Sequence, residues 1–259
     1  MHWLLLHALP FKGTLILSWL ILLLVAETIR PKAPIPLPLA GYARPWWRRW
    51  ARNFSLAALN GLAGRFFILP LTFWASDHAL GHWWPESAWG IIGALVGLDC
   101  AIYWWHRANH RWPFLWRFHQ VHHRDEFLDT STALRFHVGE VVLSALARAG
   151  VILFLGVPLA AILLFDILVT LAALFHHSNL RLAPTLEATL SRVIITPSLH
   201  WVHHHRRRSD TDANYGTVFS FWDLLFGSRA QGVRTPLMSI GMPGGIELSL
   251  PELLAQPLR

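Results

Sequence analysis

Apolar residues in this chain come in long runs separated by polar stretches, not in the short alternations of a soluble sheet protein. The first run is Thr14–Ala26, bounded by Lys12 and Glu27. The second, Ser55–Ser76, carries Arg65 and Pro70. Trp89–Trp105 is the third and contains Gly93-Ala-Leu-Val-Gly97, a small-xxx-small pattern that lets helices approach closely. Val141–Leu155 and Pro158–Phe175 follow, parted by Gly156-Val157-Pro158. Runs of this kind predict helices that cross or re-enter a bilayer, although the first is short of the ~20 residues of a full span. The remaining stretches, Arg30–Arg52, His106–Glu140 and His176–Arg259, are polar. The pattern predicts an all-α polytopic membrane protein with four to five transmembrane or re-entrant helices and a cytoplasmic helical cap. It divides into N-terminal helices with a basic loop (1–98), a central domain (99–230) and a C-terminal tail (231–259).

Charge sets the expected topology. Arg30–Arg52 reads as a loop with six Lys/Arg (Arg30, Lys32, Arg44, Arg48, Arg49 and Arg52), whereas Asp77–Ala88 has none. The positive-inside rule places the first in the cytoplasm and the second outside. The third run then returns to the cytoplasm, where Arg107, Arg111, Arg117, Arg124 and Arg135 lie. Were Val151–Phe175 a single crossing, the chain after it would emerge ~30 Å or more from His106–Glu140. A turn at Gly156–Pro158 instead makes a hairpin of two short spans, each roughly 23–27 Å long at helical rise. That hairpin returns Arg181, Arg192 and Arg206–Arg208 to the cytoplasm. Arg148 and Asp166 lie inside it, are costly in lipid, and are expected to face protein or a shallow cavity.

Composition agrees with this reading. Hydrophobic residues make up 54% of the 259, too many for an ordinary soluble domain. Fifteen Trp and fifteen Phe against three Tyr suit a bilayer protein with interfacial aromatics. The net charge of +7 sits beside the apolar runs, so it fits membrane orientation and not nucleic acid binding. Cys100 is the only cysteine, which excludes an internal disulfide. No A-x-A-like site follows the first run, so no cleavable signal peptide is expected. The excess of Arg over Lys points to a bacterial genome of high GC content, for which the expected location is the inner membrane.

Candidate chemistry lies in three histidine clusters: His106-x3-His110, His119-x2-His122-His123 and His200-x2-His203-His204, with His205 next. On a helix, positions i, i+3 and i+4 share one face, so each cluster aims its imidazoles one way. Imidazole binds first-row transition metals well, and eight co-facing imidazoles suit two ions. His177 ends the last apolar run, well placed to reach the same metals. His176 is expected to pack on the helix or face lipid headgroups. His137 is a further candidate ligand or supporting group, and His205 points away from His204. His78 and His82, also i, i+4, fall on the opposite side of the membrane and read as interfacial. Metal-bound imidazoles usually give their second N–H to a carboxylate or carbonyl. Asp99, Asp223, Glu140 and Asp125 are the carboxylates placed for that role.

The ordered set Asp99…His106-x3-His110, Leu115-Trp-Arg-Phe-His119-x2-His122-His123, Arg135-Phe-His137-Val-Gly-Glu140, Phe175-His-His177-Ser-Asn179, Thr196-Pro-Ser-Leu-His200-x2-His203-His204, Asn214-Tyr-Gly216 and Trp222-Asp223…Gly227 resembles the fatty acid hydroxylase/sterol desaturase superfamily of membrane oxygenases. The likeness runs over Asp99–Gly227. It implies a catalytic domain over 99–230, with a non-haem di-iron centre on His106, His110, His119, His122, His123, His200, His203 and His204. The family's late extra histidine maps onto His177. Val138 stands where many members have proline, which loosens the assignment of His137. The third cluster and its Thr196-Pro-Ser lead resemble alkylglycerol monooxygenase. The resemblance implies dioxygen as co-substrate, a membrane lipid as substrate, and hydroxylation or desaturation of a C–H bond. No dinucleotide fingerprint or iron–sulfur cysteine set is present. The electrons must then come from a separate reductase, ferredoxin or cytochrome. Arg206–Arg208 suits an acidic partner or anionic headgroups. Rival readings are a metal transporter, whose ligands belong near the bilayer midplane, a di-zinc enzyme on the same scaffold, and a structural protein with a decayed site.

Overall fold

The computed structural model describes residues 2–34, 46–81, 83–85, 87–244 and 247–259, with the side chains of 2–10 and of Trp46 excepted. Arg44 and His82 therefore lie outside the described residues. Every element among those residues is helical, apart from isolated bridges such as Pro31 with Leu180. The long helices are α1 (His2–Ile29), α2 (Trp46–Ala63) continued by α3 (Leu69–Asp77), α4 (Ala88–Arg111), α6 (Val138–Leu155) and α7 (Leu159–His177). Shorter helices α5 (Pro113–His123) and α8–α12 (Pro184–Leu190, Pro197–His203, Arg208–Thr211, Phe221–Leu225 and Leu250–Ala255) build a cap at one end. Five segments are long and apolar enough to cross a membrane: Phe11–Ile29, Trp47–Asp77, Ala88–Arg111, Val138–Leu155 and Leu159–His177.

Proline and glycine punctuate the helices for identifiable reasons. Pro70 lacks an N–H and crowds the preceding turn, and a π-helical stretch over Gly64–Ile68 takes up the mismatch between α2 and α3. Pro113 disfavours a helical residue before it, so Trp112 is extended (φ −97°, ψ 118°) and α4 breaks there from α5. Gly156 takes a left-handed conformation (φ 57°) as the cap of α6, and Pro158 caps α7. The hairpin expected from the charge pattern is therefore present. Its two charged residues pair with each other: Arg148 bonds Asp166 and Thr72, and Lys12 reaches the other Asp166 oxygen at 3.3 Å. That contact ties α1, α3, α6 and α7 together at one level.

Two readings of the sequence need correction. The segment taken as a basic loop to Arg52 is helical from Trp46, and Arg49 and Arg52 are buried. Arg49 serves as counter-ion to Asp125 and Asp129, and Arg52 pairs with Glu247. Pattern reading placed them in a loop because their acidic partners are far away in sequence. The Gly93/Gly97 pattern receives no helix. The Trp84 ring lies against both glycines, and a Cβ on Gly93 would stand 2.8 Å from it. Trp84 is fixed there by donating to the Leu155 carbonyl at 2.9 Å.

Candidate metal centre

The break at Trp112 folds α5 back beside α4, so His106 and His110 face His119, His122 and His123. The end of α7 brings His176 and His177, and α9 brings His200, His203 and its cap residue His204. His106 is half-buried and the others are buried. Nine of them form two groups. His106, His110, His119, His123 and His203 make one, and His122, His177, His200 and His204 the other. Within each group the donor nitrogens all lie within 4.8 Å of one another. The groups adjoin, with the His123 and His204 rings stacked at 4.2 Å.

Hydrogen bonding fixes which nitrogen of several rings carries the proton. His106 Nδ1 faces the Tyr215 carbonyl at 2.9 Å, His203 Nδ1 the Ala213 carbonyl at 2.6 Å, and His119 Nδ1 a Glu140 oxygen at 2.7 Å. His122 Nδ1 faces the Arg135 carbonyl at 3.2 Å and His177 Nδ1 the Ala173 carbonyl at 2.7 Å. These acceptors take an N–H, so each Nε2 is left with a bare lone pair. The Nε2 atoms of His122 and His177 are nevertheless 3.0 Å apart. Two lone pairs at that distance repel, and a cation between them removes the conflict. In the five-histidine group, Nε2 of His110, His119, His123 and His203 is buried without a partner. Each such orphan costs about 1–3 kcal/mol if left unpaired. The donor set therefore fits transition-metal ions in both groups.

Burial pushes the pKa of His122, His123, His200, His203 and His204 well below the ordinary value of 6.5, and neighbouring imidazoles push it further the same way. These rings are neutral at pH 7 and present lone pairs. The folded state then binds fewer protons than the unfolded chain once the pH drops below 6.5. Stability is thus fully present above that pH and falls below it, by up to ~1.4 kcal/mol per pH unit for each ring. The metal-free protein in detergent is expected to show a falling thermal midpoint between pH 7 and pH 5. A midpoint that stays level would mean the rings are not buried as described.

Of the carboxylates proposed from sequence, only Glu140 touches an imidazole of the two groups within hydrogen-bonding distance. It also accepts from Asn109 at 3.4 Å. Replacing Glu140 by alanine frees His119 to rotate and is expected to weaken metal affinity by roughly 10–100-fold, measured by competition with a chelator. Asp125 pairs with Arg49 instead. Burial alone would raise the pKa of Asp125, but Arg49 and Arg135 beside it hold it below the usual range.

Asp99 does not reach a histidine. Its oxygens accept from the Val218 and Phe219 N–H groups at 3.2 and 3.1 Å and from Trp222 Nε1 at 2.8 Å. Asp223 accepts from the Tyr215 and Gly216 N–H groups at 2.7 and 2.9 Å. Both carboxylates hold the turn whose carbonyls receive His106 and His203. Asn214 has a left-handed backbone (φ 53°) in that turn, a conformation asparagine tolerates better than most residues. A Cβ on Gly216 would lie 2.7 Å from the Phe219 carbonyl oxygen.

His137 is a helix cap that stands outside both histidine groups. Its Nδ1 accepts from the Gly139 N–H at 2.9 Å and its Nε2 donates to the Leu254 carbonyl at 3.1 Å. Both nitrogens are committed, because the residue starts α6. His176 does not face headgroups: it is buried, with its ring 4.0 Å from that of His200. His205 is bonded to Asp210 at 2.7 Å, outside both groups. Sequence reading missed the carbonyls of Arg135, Ala173, Ala213 and Tyr215. Backbone acceptors leave no trace in residue identity.

A cavity of about 540 Å³ opens from the cluster into the helix bundle. Its wall includes His106, His119, His122, His177 and His200 at one end. Leu98, Ala145, Val151, Phe165 and Val169 of α4, α6 and α7 continue it among the membrane-length helices.

Helices of membrane length below a cap of buried histidines define a class of helical membrane protein with a polyhistidine site able to hold metal. The chain belongs to the fatty acid hydroxylase family, whose profile matches residues 91–228. It is similar to alkylglycerol monooxygenase of Homo sapiens (35% identical over 182 residues, 68% of this chain and 39% of that protein). It is also similar to alkylglycerol monooxygenase of Danio rerio (32% identical, 71% of this chain and 40% of that protein). An ornithine lipid hydroxylase of Rhizobium tropici is 29% identical, over 68% of this chain and 53% of that protein. The chain thus spans between two-fifths and about half the length of these relatives. No solved structure matches it.

Proposed function

We propose that this chain is an integral-membrane lipid hydroxylase with a histidine-held di-iron site on the cytoplasmic side of a bacterial inner membrane. The observation that carries the reading is the junction of the two histidine groups with an apolar cavity that runs between membrane-length helices. His106, His110, His119, His123 and His203 would hold one ion, and His122, His177, His200 and His204 the other. When bound, the iron pair supplies dioxygen activation strong enough to cleave an unactivated C–H bond.

The chain's own residues do the rest. Glu140 and the carbonyls of Arg135, Ala173, Ala213 and Tyr215 hold five imidazoles in one tautomer each. Leu98, Ala145, Val151 and Phe165 offer a lipid chain an apolar path from the bilayer and keep water out. The relatives named for alkylglycerol and ornithine lipid support a polar lipid as substrate, with desaturation as the nearest alternative outcome. A cytoplasmic position for the site is supported by Arg107, Arg111, Arg117 and Arg206–Arg208 around the cap. An external carrier supplies the electrons.

The test pairs metal analysis and dioxygen uptake on the purified chain with comparative lipidomics of a deletion strain. Two iron atoms per chain and a missing hydroxylated lipid are expected. Zinc at full occupancy without dioxygen uptake would assign the scaffold to hydrolytic or structural chemistry.

A further inference from the structure

On the side of the histidine cluster away from the cavity, one aromatic ring separates the imidazoles from solvent. Trp116, half-buried on α5, has its ring 5.1 Å from that of His110, 5.4 Å from His123 and 6.1 Å from His119. The Arg208 guanidinium lies 4.5 Å from the centre of that indole, and the Arg208 side chain is 50% exposed. Arg208 also donates to the His110 carbonyl at 2.9 Å and to Asp212 at 2.8 Å. The other Asp212 oxygen is 3.5 Å from His110 Nδ1. Neither Trp116, His110 nor His123 belongs to the cavity wall. The cluster therefore has two faces, one toward the lipid cavity and one toward Trp116.

We propose that Trp116 beneath Arg208 is the port through which electrons reach the histidine site, and that the arginines around it dock an acidic one-electron carrier protein. The proposal rests on the oxygenase reading above and names its partner. Arg111, Arg117 and Arg207, which adjoin His110, Trp116 and Arg208 in the chain, are exposed. Among the described residues, none of the three has an acidic group within salt-bridge distance; only Arg208 does. A surface with an excess of one sign steers an oppositely charged protein and sets its orientation. Electron tunnelling weakens exponentially with gap, and a carrier's cofactor already lies inside its own protein. Docking is productive only where the remaining gap is short, and here one indole bridges it.

The stoichiometry requires two electrons from an external donor, which this partner would supply. Hydroxylation consumes RH + O2 + 2 H+ + 2 e− and yields ROH + H2O. Two reduced carriers dock in turn and leave oxidised, each giving one electron. Because lipid and carrier use opposite faces, neither excludes the other.

The test uses the full iron-loaded chain in nanodiscs of neutral lipid. The probe is a reduced, acidic plant-type [2Fe–2S] ferredoxin, with dithionite as a donor that needs no docking. The double variant Arg117→Glu/Arg207→Glu is expected to slow ferredoxin association about tenfold and to flatten its salt dependence. Dithionite reduction should not change. Trp116→Leu is expected to keep the ferredoxin Kd while slowing reduction within the complex, with Trp116→Phe between it and the native chain. Native ferredoxin kinetics in the double variant would overturn the docking surface and leave these arginines as headgroup contacts. Native reduction rates in Trp116→Leu would overturn the port. If dithionite detects no reducible metal, the oxygenase reading itself fails. Ferredoxin binding to the metal-free chain then scores the surface alone, and salt-independent binding counts against it.

Discussion

Replacing His122 by alanine is expected to empty the four-histidine group and to lower dioxygen-dependent turnover by more than about a hundredfold, beyond the effect of losing a supporting residue. His122 is one of the rings through which that group meets the rest of the site. Its Nε2 lies 3.0 Å from that of His177, and its ring is 4.6 Å from that of His204 and 5.5 Å from those of His119 and His123. Phe136, which stacks on it at 4.3 Å, offers no donor to take its place. The change removes a polar ring whose own burial was costly, so the helices should still insert and the protein should still accumulate in membranes. Iron per chain, measured by mass spectrometry, should fall from two toward one or none. His205→Ala, at a ring committed to Asp210 outside both groups, should keep its iron. A His122→Ala protein with unchanged iron and normal turnover would remove this residue from the site.

The largest effect on stability is expected at Arg49. This one guanidinium donates to Asp125 Oδ1 and Oδ2 at 2.6 and 2.7 Å, to Asp129 at 2.5 Å, to the Phe127 carbonyl at 2.6 Å and to Thr132 Oγ1 at 2.8 Å. All of these groups are buried. Arg49→Ala removes the one guanidinium that bonds both buried carboxylates and leaves only Arg135 beside Asp125, a loss of about 3–5 kcal/mol. The damage should also reach the metal site. Asp125 follows His122 and His123 by two or three residues, and the same stretch leads to Arg135, whose carbonyl orients His122. Arg49→Lys should recover little, since an ammonium lacks the fork that serves two carboxylates at once. Thermal midpoints in detergent, read beside iron content, test both points. An alanine variant with a native midpoint would show that Asp125 and Asp129 find other compensation.

The family assignment also has a physical core. Nothing in a relative's name dictates where a proton sits on an imidazole. The carbonyls of Ala213 and Tyr215 do so here, because Asp99 and Asp223 clamp the turn that carries them. Those two aspartates act on the site through backbone. Their effect should therefore appear as slack in His106 and His203, not as a lost ligand.

Much of the molecule was legible in the chain itself. Apolar runs of membrane length can only be satisfied as helices, because a bilayer offers no partner to free backbone groups. Histidines three and four residues apart share a face wherever the chain is helical, so eight of the nine imidazoles that gather into two groups were visible by spacing, and His177 by its place at the end of the last apolar run. Gly156-Val-Pro158 announced its turn because few residues tolerate a left-handed cap.

Other features were settled only when distant segments met. Arg49 reads as a loop charge until α2 packs on residues 76 and 80 positions away. His137 reads as a candidate ligand or supporting group until the Leu254 carbonyl and the Gly139 N–H occupy both of its nitrogens. Gly93 and Gly97 read as a helix contact until Trp84 lies across them. The physical reason is common to all three. Periodicity is a property of local backbone geometry and survives in the sequence. The partner of a polar atom is set by long-range packing, and spacing along the chain does not encode it.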